Sequence, residues 1–269
     1  MVTQLMFKYL LPLNNYDLLK QLTRREILQR FHSSWLGLGW AILTPLAMLT
    51  VYTFVFRSVL NAKWPGAENS DSEFALQVFS GLLIFTLFSE VVGRAPNLII
   101  EQPNLVKKVI FPLEILPWMT VFAALFYAIL SLTVLFLGTW LMRGTVTIHV
   151  LSVPVILAAF VPMLLGLSWL LSALGVYIRD VHNIIGLILT PMLFLSPIFY
   201  PASALPEKFQ FLMSLNPLTF IIESIRGAIL GSQWPDITAL ICYLIVSLVV
   251  AVIGAAFFYY TRKGFADVI

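Results

Sequence analysis

Six apolar blocks, near Leu38–Leu60, Phe74–Gly93, Leu113–Met142, Val153–Ile178, Ile184–Tyr200 and Asp236–Tyr260, constrain this chain more than any other feature. A helix needs about 20 apolar residues to cross the hydrocarbon core of a bilayer, and most of these blocks reach that length. They are continuously apolar rather than alternating, which favours closed intrahelical hydrogen bonding over a β-barrel. Composition agrees: 60% of the residues are hydrophobic and only 11% are charged, too few to cover a soluble domain of this size. The expected fold class is an all-α integral membrane protein with six transmembrane helices.

The distribution of Lys and Arg sets the orientation. With six crossings, one side holds Lys8, Lys20, Arg24, Arg25, Arg30, Arg94, Lys107, Lys108, Arg179, Arg262 and Lys263, and the other holds Arg57, Lys63, Arg143, Lys208 and Arg226. The richer side is expected to be cytoplasmic and to carry both termini. The sequence pI near 9.0 then follows from topology, and no nucleic-acid partner is expected. Residues 1–36 form a cytoplasmic N-terminal segment ahead of a membrane domain spanning 37–269. That segment lacks the layout of a cleavable secretory signal and is expected to stay attached.

Three stretches outside the crossings carry pattern. From Asp17 to Trp35, the apolar residues Leu18, Leu22, Leu28, Phe31 and Trp35 recur at mostly helical intervals, and Lys20, Arg24, Arg25 and Arg30 supply a basic surface. This reads as an amphipathic helix on the cytoplasmic leaflet, against the plainer reading of a solvated juxtamembrane stretch. The link at about 94–112 is too polar to span and too apolar for a loose connector, and Pro96, Pro103, Pro112 and Pro117 divide it into short structured pieces. At its edge Glu90 and Arg94 stand four apart, in the favourable order for a helix pair. Between about 201 and 235 two short apolar pieces flank Asn216-Pro217. They predict two short helices that enter the outer half of the membrane and return, with Glu223 and Arg226 neutralising each other.

The chemistry of an enzyme is hard to assemble from these residues. A G-x-x-x-x-G-K-[ST] phosphate loop is absent, so energy from ATP must come through another subunit. His32, His149 and His182 are far apart and read as interfacial residues rather than a zinc helix. Ser168 and Ser172 have no base on their segment; with Gly166 and Gly175 they read as residues that let helices pack closely. Cys242 is the single cysteine, so neither a disulfide nor a cysteine-based metal site is expected within the chain. Glu90 and Glu114 lie near predicted helix ends, which argues against a proton relay through the midplane.

Four stretches together resemble the membrane subunits of ABC-2 type exporters, in particular the permeases for lipid-linked polysaccharides such as O-antigen, capsule and teichoic acid. They are Leu22 to Leu46, Asn104-Leu-Val-Lys-Lys-Val-Ile-Phe-Pro, Arg179-Asp180, and Ser196-Pro-Ile-Phe-Tyr-Pro through Asn216-Pro-Leu to Arg226-Gly. The resemblance implies a homodimer in the bacterial cytoplasmic (inner) membrane, bound to two copies of a separate P-loop ATPase that holds ATP and Mg, with no cofactor in this chain. It implies that Glu101, Gln102, Pro103, Asn104, Lys107 and Lys108 form the coupling element entering the ATPase. It also makes the helix bearing Arg24, Arg25, Arg30, Phe31 and Trp35 the family's interfacial helix, and the segment with Asn216, Pro217, Glu223 and Arg226 its outer gate hairpin. Arg57 departs from the small residue usual near the outer end of the first crossing. Aromatic rings suit a sliding glycan, so the stripe Met48, Tyr52, Phe56 and the pair Met192, Phe199 are candidate channel lining, against the plainer reading of packing or lipid-facing residues. An ABC-2 permease for a small lipid or drug is the alternative, followed by an intramembrane glycan-modifying enzyme, which would be active alone.

Overall fold

The structure is a computed structural model and describes residues 9, 15–29, 35–59, 64, 71–107, 111–144 and 146–269. Among these residues the regular structure is entirely helical. Helix α1 is Tyr16–Gln29, α2 is Trp40–Thr53, α3 is Asp71–Arg94 and α4 is the short Pro103–Val106. There follow α5, Ile115–Arg143; α6, Val153–Tyr177; α7, Val181–Leu195; α8, Glu207–Leu215; α9, Pro217–Ile229; α10, Ile237–Thr261; and α11, Phe265–Val268.

Among the described residues, four helical runs are long and apolar enough to cross a membrane: Glu73–Asn97, Ile115–Arg143, Ile148–Tyr177 and Ile237–Val268. The first expected crossing is helical from Gly37 to Val59 but changes type along its length, from a 3₁₀ turn through α2 to a π-helical Phe54–Val59. The fifth differs from the sequence expectation. Its helix starts at Val181 and stops at Leu195, 15 residues in all, because Ser196 precedes Pro197 and is extended at φ −95°, ψ 152°, as proline demands of the residue before it. Phe199 therefore lies beyond the helix, and its spacing of seven from Met192 is not a helical stripe.

Local chemistry sets several boundaries. Asp236 caps α10, its carboxylate accepting from the Thr238 N–H at 2.8 Å and the Ala239 N–H at 3.4 Å; this satisfies donors that a helix start leaves open. Helix α5 ends where Gly144 turns left-handed at φ 70° and its N–H bonds the Trp140 carbonyl, a conformation that glycine adopts without a Cβ penalty.

Polar contacts sort the helix ends into two groups. At one end Glu26 of α1 pairs with Arg94, Glu114 pairs with Arg262 at 2.7 Å, and the Tyr177 hydroxyl donates to the Thr261 carbonyl at 2.7 Å. At the other, Arg143 pairs with Glu73 and donates to the Leu230 carbonyl, and the His149 ring lies 4.9 Å from that of Trp234. Helices α3, α6 and α10 therefore run toward the α1 end, and α5 and α7 run away from it. Arg24, Arg25, Arg94, Lys107, Arg262 and Lys263 gather at the α1 end, and Arg143 and Arg226 at the opposite one, the same partition that the charges predict.

Helices α6 and α10 pack with their backbones in close approach. A Cβ on Gly166 would meet the backbone of Val250 and Ala251, and one on Gly254 would meet the Gly166 carbonyl. Small residues thus bring two backbones together, which is how helices gain dispersion energy where lipid offers no hydrophobic drive. Ser247 crosses the same seam, its hydroxyl donating to the Ala159 carbonyl at 2.7 Å. The opposite face of α10, with Ile241, Ile245, Leu248 and Val249 exposed, repeats at helical intervals and suits lipid contact.

Candidate functional site

The link between α3 and α5 is built as a docked element rather than a tether. After Arg94 the chain makes a 3₁₀ turn at Ala95–Asn97, and successive bonds carry it through the short α4: Glu101 N–H to the Asn97 carbonyl at 2.9 Å, Gln102 N–H to Ile99 at 3.1 Å, and Leu105 N–H to Gln102 at 2.9 Å. One side is sealed into the core, with Ala95, Pro96, Leu98, Ile99 and Val106 buried. Gly175 of α6 lies directly against the Pro96 backbone, where a Cβ would collide with the carbonyl.

The other side carries the expected coupling residues. Glu101, Asn104 and Lys107 are exposed at three-residue intervals, and Gln102 and Pro103 are half-buried behind them; Lys108 lies outside the described residues. The result is a short polar ridge on a rigid base, at the end where Arg24, Arg25 and Lys263 also lie.

Helix α1 lies along α5 beside this ridge. Leu19 is buried near its start, a contact residue outside the apolar set read from the sequence. The Tyr127 hydroxyl of α5 donates to the Ile27 carbonyl at 3.2 Å. Arg24 and Arg25 are exposed, and Trp35 is 96% exposed, as suits an indole at a headgroup boundary. Arg30 and Phe31 lie outside the described residues. Tyr9 reaches into the same end, its ring edge-on to Trp169 at 6.3 Å and Tyr259 at 6.1 Å, and burial pushes its phenol up. The Trp118 indole donates to the Tyr9 carbonyl at 2.9 Å, and the Trp169 indole to the Glu114 carbonyl at 3.1 Å.

At the opposite end the chain forms the two short helices expected around Asn216-Pro217. Asn216 does three jobs there. Its Oδ1 accepts from the Leu218 N–H at 2.9 Å and starts α9, while its Nδ2 donates to the Ser196 hydroxyl at 2.9 Å and the Leu195 carbonyl at 3.3 Å. Tyr243 of α10 adds a bond to the Pro217 carbonyl at 2.9 Å and stacks on Phe220 at 5.4 Å.

Arg226 is paired with Glu223 as expected, at 3.1 Å, but the pair is uneven: the arginine side chain is 6% exposed and the glutamate 36%. The guanidinium also donates to the Gln77 carbonyl at 3.1 Å and the Pro197 carbonyl at 2.8 Å, and lies 4.5 Å from the Trp64 ring centre. Glu223 in turn accepts from the Ala202 N–H at 3.2 Å. Arg226 thus ties α9 to α3 and to the segment after α7, a role that spacing alone does not reveal because its acceptors are backbone groups remote in sequence.

The candidate lining residues fall in different surroundings. Met48 lines a cavity between α2, α3 and α5; the side chains of Tyr52 and Phe56 lie outside those the structure describes. Met192 is partly buried against the core, and Phe199 is buried with its ring 5.7 Å from that of Phe194.

Comparison with known proteins places this geometry among transporters. The family model described as ABC-2 type transporter matches residues 17–230. An O-antigen export system permease protein of Myxococcus xanthus is 29% identical over 93% of this chain and 94% of its own length. One of the same description from Klebsiella pneumoniae is 25% identical over 94% of this chain and 95% of its own. A polysialic acid transport protein of Escherichia coli is 24% identical over 89% and 91%.

Proposed function

The chain belongs to the ABC-2 type transporter family, and on that premise we propose that it is the permease subunit of an exporter that moves lipid-linked polysaccharide, of the O-antigen or capsule kind, across the cytoplasmic membrane. Relatives whose names state O-antigen export and polysialic acid transport match it over nearly their whole length, which favours a glycan over a small lipid or drug. Two copies of the chain enclose the route, and two copies of a separate ATPase supply the energy.

The observation that carries the coupling half of this reading is the polar ridge Glu101, Asn104 and Lys107 on its buried base. Binding and hydrolysis of ATP in the partner displace the ridge. Its seat against Gly175, and its continuity with α3, pass the displacement to the helices of the route. The six helical runs cross the membrane with both termini cytoplasmic, and α8 and α9 form a hairpin that enters the outer leaflet and returns. In this reading Met48, Tyr52, Phe56, Met192 and Phe199 contribute to the lining or its immediate support.

The test is a crosslink. With cysteine at Asn104 in membranes that hold the whole complex, a short bifunctional reagent should join the chain to a subunit carrying a P-loop, and nucleotide should change the yield. Reaction of that cysteine with an impermeant reagent added from outside would overturn both the coupling and the orientation.

A further inference from the structure

A cavity of about 350 Å³ lies between α2, α3 and α5, apart from both the ridge and the hairpin. Its volume falls in the range of about 300–1,000 Å³ typical of small-molecule sites. Polar lining groups collect toward the α1 end, where Thr44, Ser89 and Glu90 stand and where Tyr127, another lining residue, bonds the α1 backbone. Phe79, Leu82 and Met48 line the deeper part, with Ser131 the one polar side chain there. Trp40, 42% exposed, stands on the wall at the polar end.

Depth decides the kind of ligand. From Glu90 to Phe79 the wall runs along α3 for about 16 Å at a rise of about 1.5 Å per residue, roughly half of the ~30 Å hydrocarbon core. The cavity is thus about one leaflet deep, wet at the headgroup level and dry toward the midplane. An apolar chain anchored at the membrane surface fits that gradient, and one long enough to cross both leaflets does not.

We propose that this cavity binds one acyl chain of a diacyl phospholipid from the leaflet on the α1 side, its headgroup beside Glu90 and Trp40. A bound chain fills the space behind α2 and holds that helix against α3 and α5. The proposal does not depend on which cargo is exported.

The experiment reconstitutes the full chain in nanodiscs with a phosphatidylcholine carrying a diazirine at mid-chain, followed by photolysis and peptide mapping. Label is expected on Phe79 and Leu82, which line the cavity and are buried, in excess of that on Ile241 and Ile245 of α10, which face bulk lipid. Filling the cavity by Ala128→Phe, or by the milder Ala124→Leu, should lower the label at Phe79 and Leu82 about tenfold and leave the α10 label unchanged. The unchanged α10 label also certifies insertion of the variant. Cavity label no greater than α10 label in the unaltered protein would overturn the proposal, whatever the variants do. Loss of cavity label on adding polyprenyl phosphate would also overturn it, since the space would then belong to the cargo's lipid anchor.

Discussion

Arg226 is where single-residue chemistry matters most. A guanidinium has five donors in a fixed fork and stays charged, so it can satisfy several carbonyls that an apolar neighbour would strand. Replacing it with leucine leaves the Gln77 and Pro197 carbonyls without this donor and Glu223 without this cation. The expected loss is on the order of 3 kcal/mol, because removing one side of a buried charged network costs far more than the network contributes net. Arg226→Lys should recover part of it, having the charge but not the fork. Thermal unfolding of the detergent-purified variants measures both; equal midpoints for Arg226→Leu and the unaltered chain would refute the role assigned here. The sequence indicated the Glu223–Arg226 pair from its spacing of three. It could not indicate the backbone acceptors, since carbonyls carry no signature in residue type.

At the scale of elements, the α6–α10 seam is a close contact between backbones and easy to damage. Gly254→Ala places a methyl group on the Gly166 carbonyl, and two packed backbones must part to admit it. The expected cost is about 1–3 kcal/mol, the usual range for overpacking, with the upper part favoured because no side chain can rotate away. Gly186 of α7 provides the control, since a Cβ there meets nothing within 4 Å and Gly186→Ala should leave the unfolding midpoint unchanged or raised. A matching pair of midpoints would mean that the seam is compliant. In the sequence, Gly166 and Gly175 stand out as packing residues by their company of serines. Their partners, α10 and the Pro96 turn, emerged only from the tertiary structure.

Over the whole molecule, the alternating helix directions lead to a statement about sidedness. If α8 and α9 return to the side they left, Lys208 and Gln233 flank the hairpin on the same face of the membrane, outside. Cysteines placed at each should both react with an impermeant maleimide in intact cells, and a cysteine at Lys263 should react only after permeabilisation. Labels for Lys208 and Gln233 on opposite faces would make the hairpin a full crossing and would move Arg262 and Lys263 to the exterior. The internal network favours the return. Asn216 holds the hairpin to the end of α7, Arg226 holds it to α3, and Tyr243 holds it to α10, all at the end remote from α1.

What the sequence determined by itself was whatever is periodic or local. Apolar length set the helical class, the spread of Lys and Arg divided the two ends, Asn216-Pro217 divided the hairpin, and the prolines made the 94–112 link a structured piece. What only the tertiary structure decided was which side of each element is occupied, and by what. Ser196, extended ahead of Pro197, cut the fifth helix short and removed Phe199 from it. The Pro96 turn seated on Gly175 left Glu101, Asn104 and Lys107 as the free face, and a burial of that kind depends on a backbone that arrives from a remote part of the chain. A one-dimensional pattern records a residue's own polarity and the period of its neighbours. It does not record the distant carbonyl or the missing Cβ against which that residue packs.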